Sequence, residues 1–248
     1  MNKFIAFCCA CLTLCTASAQ YGGREEGKSR FRPGAFWMYT GIRPAKLETP
    51  AKYDRLIVDL TYNDWIGDRD LFKNHWASMG VNTNFIFDIP LTKKVNKVSF
   101  GIGISHEYTS IRHNAKLVID NVAKTTTYMP KDSSDLFRRS SLSGHSFSVP
   151  IEFRFRTKHW KHFKFHIGGK VGYQVSSLSK YVSKIDGHKV VNKQHGFPDD
   201  SKLIYSAHIR IGVRNWALFA SYSFNPLFTS AQSTRLNRVQ MGLSLSLF

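Results

Sequence analysis

Cysteine is confined to the first fifteen residues of this 248-residue chain, at Cys8, Cys9, Cys11 and Cys15. The same segment carries Lys3, an apolar run and Ala17-Ser18-Ala19, the order typical of a cleavable secretory signal. A lipoprotein signal is the alternative, but no cysteine has both a small residue before it and Leu three residues before it. We therefore expect residues 1–19 to be a signal peptide that is cleaved after Ala19. The exported chain then has no disulfide and no thiolate metal site.

Long apolar runs are also missing, because no stretch of 18 apolar residues follows the amino terminus. This excludes a helical membrane protein.

Acidic residues are scarce as well: 17 Asp and Glu stand against 35 Lys and Arg, for a formal charge of +18. In an exported protein this charge indicates lipid phosphates, acidic polysaccharide or an acidic partner rather than nucleic acid.

What the sequence does have is strict two-residue alternation of apolar and polar side chains. Eight such stretches are predicted to be strands, each longer than the usual globular strand. They cover residues 54–62, 76–89, 97–110, 145–156, 162–176, 203–213, 216–224 and 236–248.

The connections between these stretches alternate between long and short, starting with a long one. Outer-membrane barrels have this arrangement, with short periplasmic turns, longer external loops and both termini inside. We predict an all-β fold for residues 54–248: an eight-stranded antiparallel up-and-down transmembrane β-barrel in the bacterial outer membrane. A soluble antiparallel barrel is the alternative.

Eight strands enclose a bore that side chains fill. The polar faces of the predicted strands should therefore form a buried network of mixed charge that stabilises the structure. Its predicted members are Arg55, Asp59, Asp88, Glu107, Glu152, Arg154, Arg156, Lys164, Lys170 and Arg210. A proton or solute path through the same charges is the second interpretation.

Several segments resemble the PorT-like family of outer-membrane β-barrels. They are the opening strand Asp54-Arg55-Leu56-Ile57-Val58-Asp59-Leu60, the following Asn63-Asp64-Trp65, Phe87-Asp88-Ile89-Pro90-Leu91, and Gly101-Ile102-Gly103. The resemblance covers about residues 54 to 248 and implies an eight-stranded barrel. One branch of that family takes part in type IX protein secretion, so the resemblance also implies a role as a structural or docking component of that system.

We expect no catalytic, cofactor or metal site. The rival hypothesis is a lipid-modifying hydrolase, for which Ser206 and His208 share a strand face. His159, His162 and His166 are the nearest approach to a metal site, and a solvated basic turn is the preferred interpretation.

Aromatic residues near strand ends are predicted to anchor the barrel at the membrane interface: Trp65, Trp76, Tyr108, Trp160, Tyr173, Trp216 and Tyr222.

Residues 20–53 are predicted to form an irregular periplasmic lead-in. The segment contains several Pro and Gly residues, yet it is more aromatic than disordered tethers usually are. We expect Phe31, Phe36, Trp37 and Tyr39 to dock on the barrel or on a periplasmic or secretion-complex partner. Outer-membrane lipid and lipopolysaccharide are the other expected partners.

Overall fold

The computed structural model describes residues 54–68, 73–92, 98–129, 137–157, 163–185, 188–213 and 215–247. The predicted signal peptide and periplasmic lead-in lie outside these residues. Within them, no helix is long and apolar enough to cross a membrane.

The described residues form eleven β-strands. In chain order these are β1 (Leu56–Gly67), β2 (Met79–Pro90), β3 (Val98–His113), β4 (Lys116–Asp120), β5 (Thr125–Met129), β6 (Phe137–Arg156), β7 (Phe163–Ile185), β8 (His188–His195), β9 (Leu203–Val213), β10 (Trp216–Pro226) and β11 (Leu236–Ser246).

Eight of these strands form a closed antiparallel barrel in the order β1-β2-β3-β6-β7-β9-β10-β11. Closure comes from the pairing of β1 with β11, in register from Ile57 opposite Ser246 to Gly67 opposite Leu236. This confirms the predicted fold class. The other strands lie in long connections: β4 pairs with β5, and β8 pairs with the last part of β7.

Polarity in this barrel is inverted relative to a soluble protein. On β2, Phe85 and Phe87 are exposed, while Asn82 and Asn84 on the opposite face of the same strand are completely buried. Similarly, Leu218 on β10 is 66% exposed, whereas Arg210 on β9 is 1% exposed. Such a surface suits lipid outside and a packed polar interior.

Two strands are longer than the sequence pattern indicated. β6 begins at Phe137 rather than residue 145, and β7 ends at Ile185 rather than residue 176. The added residues pair with each other beyond a register shift at His145 and Ser146. Their sequences mix polar and apolar residues on both faces, so they lack the alternation that marks a lipid-facing strand.

The barrel has two different ends. At the turn end, β1 begins, β11 ends, and short connections join β2 to β3, β6 to β7, and β9 to β10. At the loop end, the four long connections meet and the extended parts of β6 and β7 project. The predicted alternation of connection lengths is therefore present.

Gly242 should be essential for closure. It lies opposite Thr61 in the β1–β11 seam, where a Cβ atom would collide with the carbonyl oxygen of Leu60. Gly242→Ala is expected to cost about 1–3 kcal/mol or more, because the closing strands must separate. The measurement is the fraction of refolded protein whose gel mobility shifts on boiling.

Gly169→Ala is the matched control for this variant. Gly169 also lies within a barrel strand, but a Cβ there meets only the Ser206 carbonyl oxygen at 3.5 Å, an ordinary contact. Equal folded fractions for the two variants would contradict the assigned role of Gly242.

Candidate functional site

The barrel interior is filled by charged side chains from alternate strand positions. Most of the predicted network residues are buried there: Asp59, Glu107, Glu152, Arg154, Arg156, Lys164, Lys170 and Arg210. The side chain of Asp88 is 1% exposed. Arg55 differs, because it precedes β1, is half-buried, and takes part in no ion pair within the described residues.

At mid-barrel, Arg210 lies between two carboxylates. Its Nη2 is 2.9 Å from Asp59 Oδ2, and its Nη1 is 2.8 Å from Glu152 Oε2. Asp59 also accepts hydrogen bonds from Asn84 Nδ2, at 2.8 Å, and from Ser244 Oγ. A buried ion pair is tolerated when its remaining lone pairs are satisfied in this way.

A second group of charges fills the turn end. Arg154 Nη1 lies 2.6 Å from Asp88 Oδ1, and Arg156 Nη1 lies 2.7 Å from Asp88 Oδ2. Asp54 binds Arg156 Nε at 3.0 Å and Lys164 Nζ at 2.9 Å. These contacts close the bore at the end where both barrel termini lie.

Asp54 is a network member that the sequence pattern missed. Period-two alternation from Leu56 places residue 54 on the outward face, but Asp54 has a φ of 60°. This left-handed conformation, which Asp adopts more readily than most residues, turns the side chain inward. A backbone angle of this kind leaves no signature in hydrophobic periodicity.

A further ion pair lies toward the loop end. Lys170 Nζ is 2.8 Å from Glu107 Oε1, and Ser148 Oγ donates to the same oxygen at 3.3 Å. Lys170 and Arg210 both lie over the buried ring of Phe219, at 5.4 and 5.1 Å from its centroid. The aromatic face thus supplies a further interaction for two desolvated cations.

The two candidate catalytic residues, Ser206 and His208, both face this interior. His208 Nε2 is 2.8 Å from Glu152 Oε2, and the residue is 3% exposed. Ser206 lies opposite Lys170 in the register and is 8% exposed. The geometry therefore places this pair among the interior ion pairs, away from the lipid-facing surface.

Histidines do not form a metal site in the part of the chain that the structure describes, where no three His, Cys, Asp or Glu side chains are suitably grouped. His166 lies in the interior, 3.8 Å from Asp54 Oδ2. His159 and His162 lie outside the described residues, as do Phe31, Phe36, Trp37 and Tyr39.

The loop end is closed by an apolar cluster that the sequence analysis did not anticipate. Its buried members are Trp65, Ile111, Ala115, Tyr128, Leu142, Phe197, Phe228 and Leu236. They come from barrel strands and from three different long connections. We call this group the loop-end cap.

Trp65 was predicted to anchor the barrel at the membrane interface, and the structure shows that this prediction was wrong. Trp65 is 1% exposed, because it continues the inward alternation of Ile57, Asp59 and Thr61 on β1. Its ring packs 5.6 Å from that of Tyr128 in the cap. Burial raises the pKa of the Tyr128 hydroxyl, which keeps this side chain neutral.

The other predicted aromatic anchors within the described residues are exposed, four on the outside of barrel strands and Trp76 on the connection before β2. They are Trp76, Tyr108, Tyr173, Trp216 and Tyr222. Trp160 lies outside the described residues.

Polar contacts hold the cap together. The β4–β5 hairpin is attached to the β10–β11 connection by Thr126 N donating to Ser233 Oγ and Tyr128 N donating to Thr234 Oγ1, both at 2.9 Å. Asp199, from the β8–β9 connection, accepts from Thr126 Oγ1 at 2.5 Å and from Ser233 Oγ. One carboxylate thus ties three external connections together.

The Lys170–Glu107 pair allows a direct test of the interior charges. Lys170→Met is expected to lower the free energy of unfolding by about 3–5 kcal/mol, because it leaves Glu107 charged in a dry interior. Adding Glu107→Gln should recover most of this loss, since no charge then remains unpaired. Urea unfolding in detergent micelles, followed by tryptophan fluorescence, measures both.

Lys202→Met is the control: the Lys202 side chain is 47% exposed, and Asp200, whose side chain is 1% exposed, keeps the hydrogen bond from Ser177 Oγ, so a smaller loss is expected. A double variant no more stable than Lys170→Met alone would show that charge pairing is not what holds this region.

Comparison with known proteins gives one family and a distant structural likeness. A comparison with curated proteins found no match. Among solved structures, the chain is similar to Ail, the attachment invasion locus protein of Yersinia pestis, determined in complex with the heparin analogue sucrose octasulfate. The identity is 13%, the match covers 77% of this chain and 96% of the Ail chain, and the TM-score is 0.33.

The family comparison is more extensive. The outer membrane protein beta-barrel domain matches residues 59–246, a span that runs from the first barrel strand to the last residue of β11. With its closed eight-stranded barrel, apolar exterior and charged interior, the chain belongs to the outer membrane protein beta-barrel domain family.

Proposed function

We propose that this outer-membrane protein is a sealed, non-enzymatic barrel that serves as a structural and docking component. The observation that carries this proposal is the burial of the interior charges. Arg154, Lys164 and Arg210 face the bore and are at most 1% exposed. An aqueous channel would wet these side chains, so their burial argues against transport through the barrel.

The loop-end cap supports the same proposal. Trp65, Phe228 and Leu236 are at most 2% exposed at the extracellular mouth. A solute would have to displace this apolar cluster before it reached the charged interior. The barrel is therefore better suited to present its outer surface and its ends than to conduct.

The docking role rests on the periplasmic lead-in. Phe31, Phe36, Trp37 and Tyr39 place four aromatic side chains within nine residues, and aromatic residues are enriched at protein interfaces. Because the chain resembles the PorT-like barrels, we propose a component of the type IX secretion system as the partner. The apolar exterior and the loop end would contact outer-membrane lipid and lipopolysaccharide.

A lipid-modifying hydrolase is the less favoured alternative. Its candidate residues, Ser206 and His208, face the interior, and the His208 ring is held by Glu152. A membrane lipid would have to cross the barrel wall to reach them. A nucleophile on an accessible outer face would suit such chemistry better.

A sealed barrel should not conduct ions. The mature chain, reconstituted into planar bilayers, is expected to give no discrete conductance steps in 1 M KCl. The change Trp65→Ala/Phe228→Ala/Lys164→Ala/Arg210→Ala is the positive comparison, because leak currents should appear once the loop-end cap and these interior side chains no longer block the path. Steps from the unmodified protein would contradict a sealed barrel and favour a channel.

The lead-in should be required for docking but not for folding. Deletion of residues 20–53 behind the signal peptide is expected to leave the heat-dependent gel shift unchanged, while removing cross-links to the partner. A photo-cross-linking amino acid at Trp37 should capture a type IX secretion component, identified by mass spectrometry. The same probe at lipid-facing Leu60, which is 59% exposed, is the control.

Phe36→Ala/Trp37→Ala should abolish the cross-link from a probe at Tyr39 if the aromatic residues themselves dock. Capture of the same protein from Leu60, or unchanged capture in this variant, would refute docking through the lead-in.

A further inference from the structure

The hairpin formed by β7 and β8 carries an unusual arrangement of lysines. Lys180 lies directly opposite Lys193, and Lys184 lies directly opposite Lys189 in the register. We call these four residues the lysine ladder. Like charges placed directly opposite on neighbouring strands destabilise a sheet, so the hairpin folds at a cost that its own contacts do not explain.

Three lysines of the ladder have no ion partner within the described residues. No ion pair there engages Lys180, Lys189 or Lys193, and Lys189 and Lys193 are exposed. Around the ladder lie further basic groups: Arg139 on β6 is exposed, and Lys116 Nζ lies 5.9 Å above the Tyr181 ring. In the sequence from residue 178 to residue 195, Asp186 is the single carboxylate.

Protection of a sheet edge is the simplest alternative explanation, because lysines commonly prevent edge strands from aggregating. It accounts for Lys189 and Lys193, since β8 is an edge strand. It does not account for Lys180, because at that residue β7 is paired on both sides, with Ser141 of β6 and with Lys193 of β8. A ligand that neutralises both rows explains all four.

The position of the ladder limits which kind of anionic ligand can reach it. Tyr173, an exposed aromatic residue of β7, marks the outer interface of the membrane. At about 3.3 Å per residue, Lys180 lies roughly 23 Å further along the strand, which is roughly 16–19 Å along the membrane normal for a strand tilted by about 35–45°. The ladder therefore projects beyond the level of lipid headgroups.

The remaining surface of β8 points to a carbohydrate rather than a protein. Apart from Val191, its exposed side chains are polar or basic: His188, Lys189, Asn192, Lys193, Gln194 and His195. Buried aromatic or large apolar anchors, which carry most protein interfaces, are missing from this strand. A surface of amides and ammonium groups suits a hydrated polyanion.

We propose that the lysine ladder is an extracellular binding site for an acidic polysaccharide that lies along the β7–β8 hairpin. Its anionic groups occupy the space between opposed ammonium groups and remove the repulsion within each pair. This site goes beyond the docking role of the periplasmic lead-in and lies at the loop end of the barrel.

Fluorescence anisotropy with labelled dextran sulfate tests the site on the full mature chain in nanodiscs of zwitterionic lipid. Binding is expected at low salt and should weaken as salt rises. Lys180→Gln/Lys184→Gln/Lys189→Gln/Lys193→Gln should lower the affinity at least tenfold. The matched control, Lys93→Gln/Lys94→Gln/Lys158→Gln/Lys161→Gln, removes the same charge from the sequence between β2 and β3 and between β6 and β7, and should bind normally.

Equal losses in the two variants would overturn the proposal, because binding would then follow net charge. Tighter binding of polyglutamate than of dextran sulfate at equal charge would also overturn it, in favour of an acidic protein. If the protein bound nanodiscs of anionic lipid but did not bind free dextran sulfate, the proposal would be overturned in favour of lipid headgroups.

A charge-reversed variant guards against misfolding of the glutamine variant. Lys189→Glu/Lys193→Glu keeps charges on the edge strand and so preserves its protection against aggregation, but it repels a polyanion. Loss of dextran sulfate binding with an unchanged heat-dependent gel shift supports the site. Retained binding in this variant refutes it.

Discussion

The pairing of β1 with β11 is the constraint on which the rest of this structure depends. A backbone group that faces lipid has no water to bond, so an open sheet edge in the membrane would cost several kcal/mol for each unpaired group. Closing the sheet removes the edges, and continuous register from Ile57 to Gly67 achieves this. Once the barrel is closed, each strand has one face toward lipid and one toward a narrow interior.

The interior charges follow from that geometry. Lipid excludes them from the outer face, and eight strands leave too little room for water to solvate them inside. They are therefore arranged in contacting pairs, with Arg210 between Asp59 and Glu152 and with Arg154 linking Glu152 to Asp88. The five carboxylates and five cations of the interior ion pairs balance formally: Asp54, Asp59, Asp88, Glu107 and Glu152 against Arg154, Arg156, Lys164, Lys170 and Arg210.

The two ends of the barrel are closed by different interactions. At the turn end, ion pairs of Asp54 and Asp88 close the bore. At the loop end, long connections contribute an apolar cap whose polar contacts converge on Asp199. Above that cap the sheet of β6, β7 and β8 continues, and its basic hairpin is set apart from both the lipid and the sealed interior.

Alternation alone was enough to predict the eight barrel strands, their faces and nearly all the interior charges, because a strand in lipid repeats every two residues. Strands outside the lipid need not alternate apolar and polar residues, so the extensions of β6 and β7 and the strands β4, β5 and β8 were predicted as loops. Where alternation breaks, as at Asp54, the side chain's direction depends on a backbone angle. Trp65 was misassigned because its surroundings come from distant connections that meet only in the folded chain. The sequence by itself determined a closed barrel with charges inside; which charges pair, and what closes the loop end, was decided by tertiary structure, because those contacts join residues from different strands and connections.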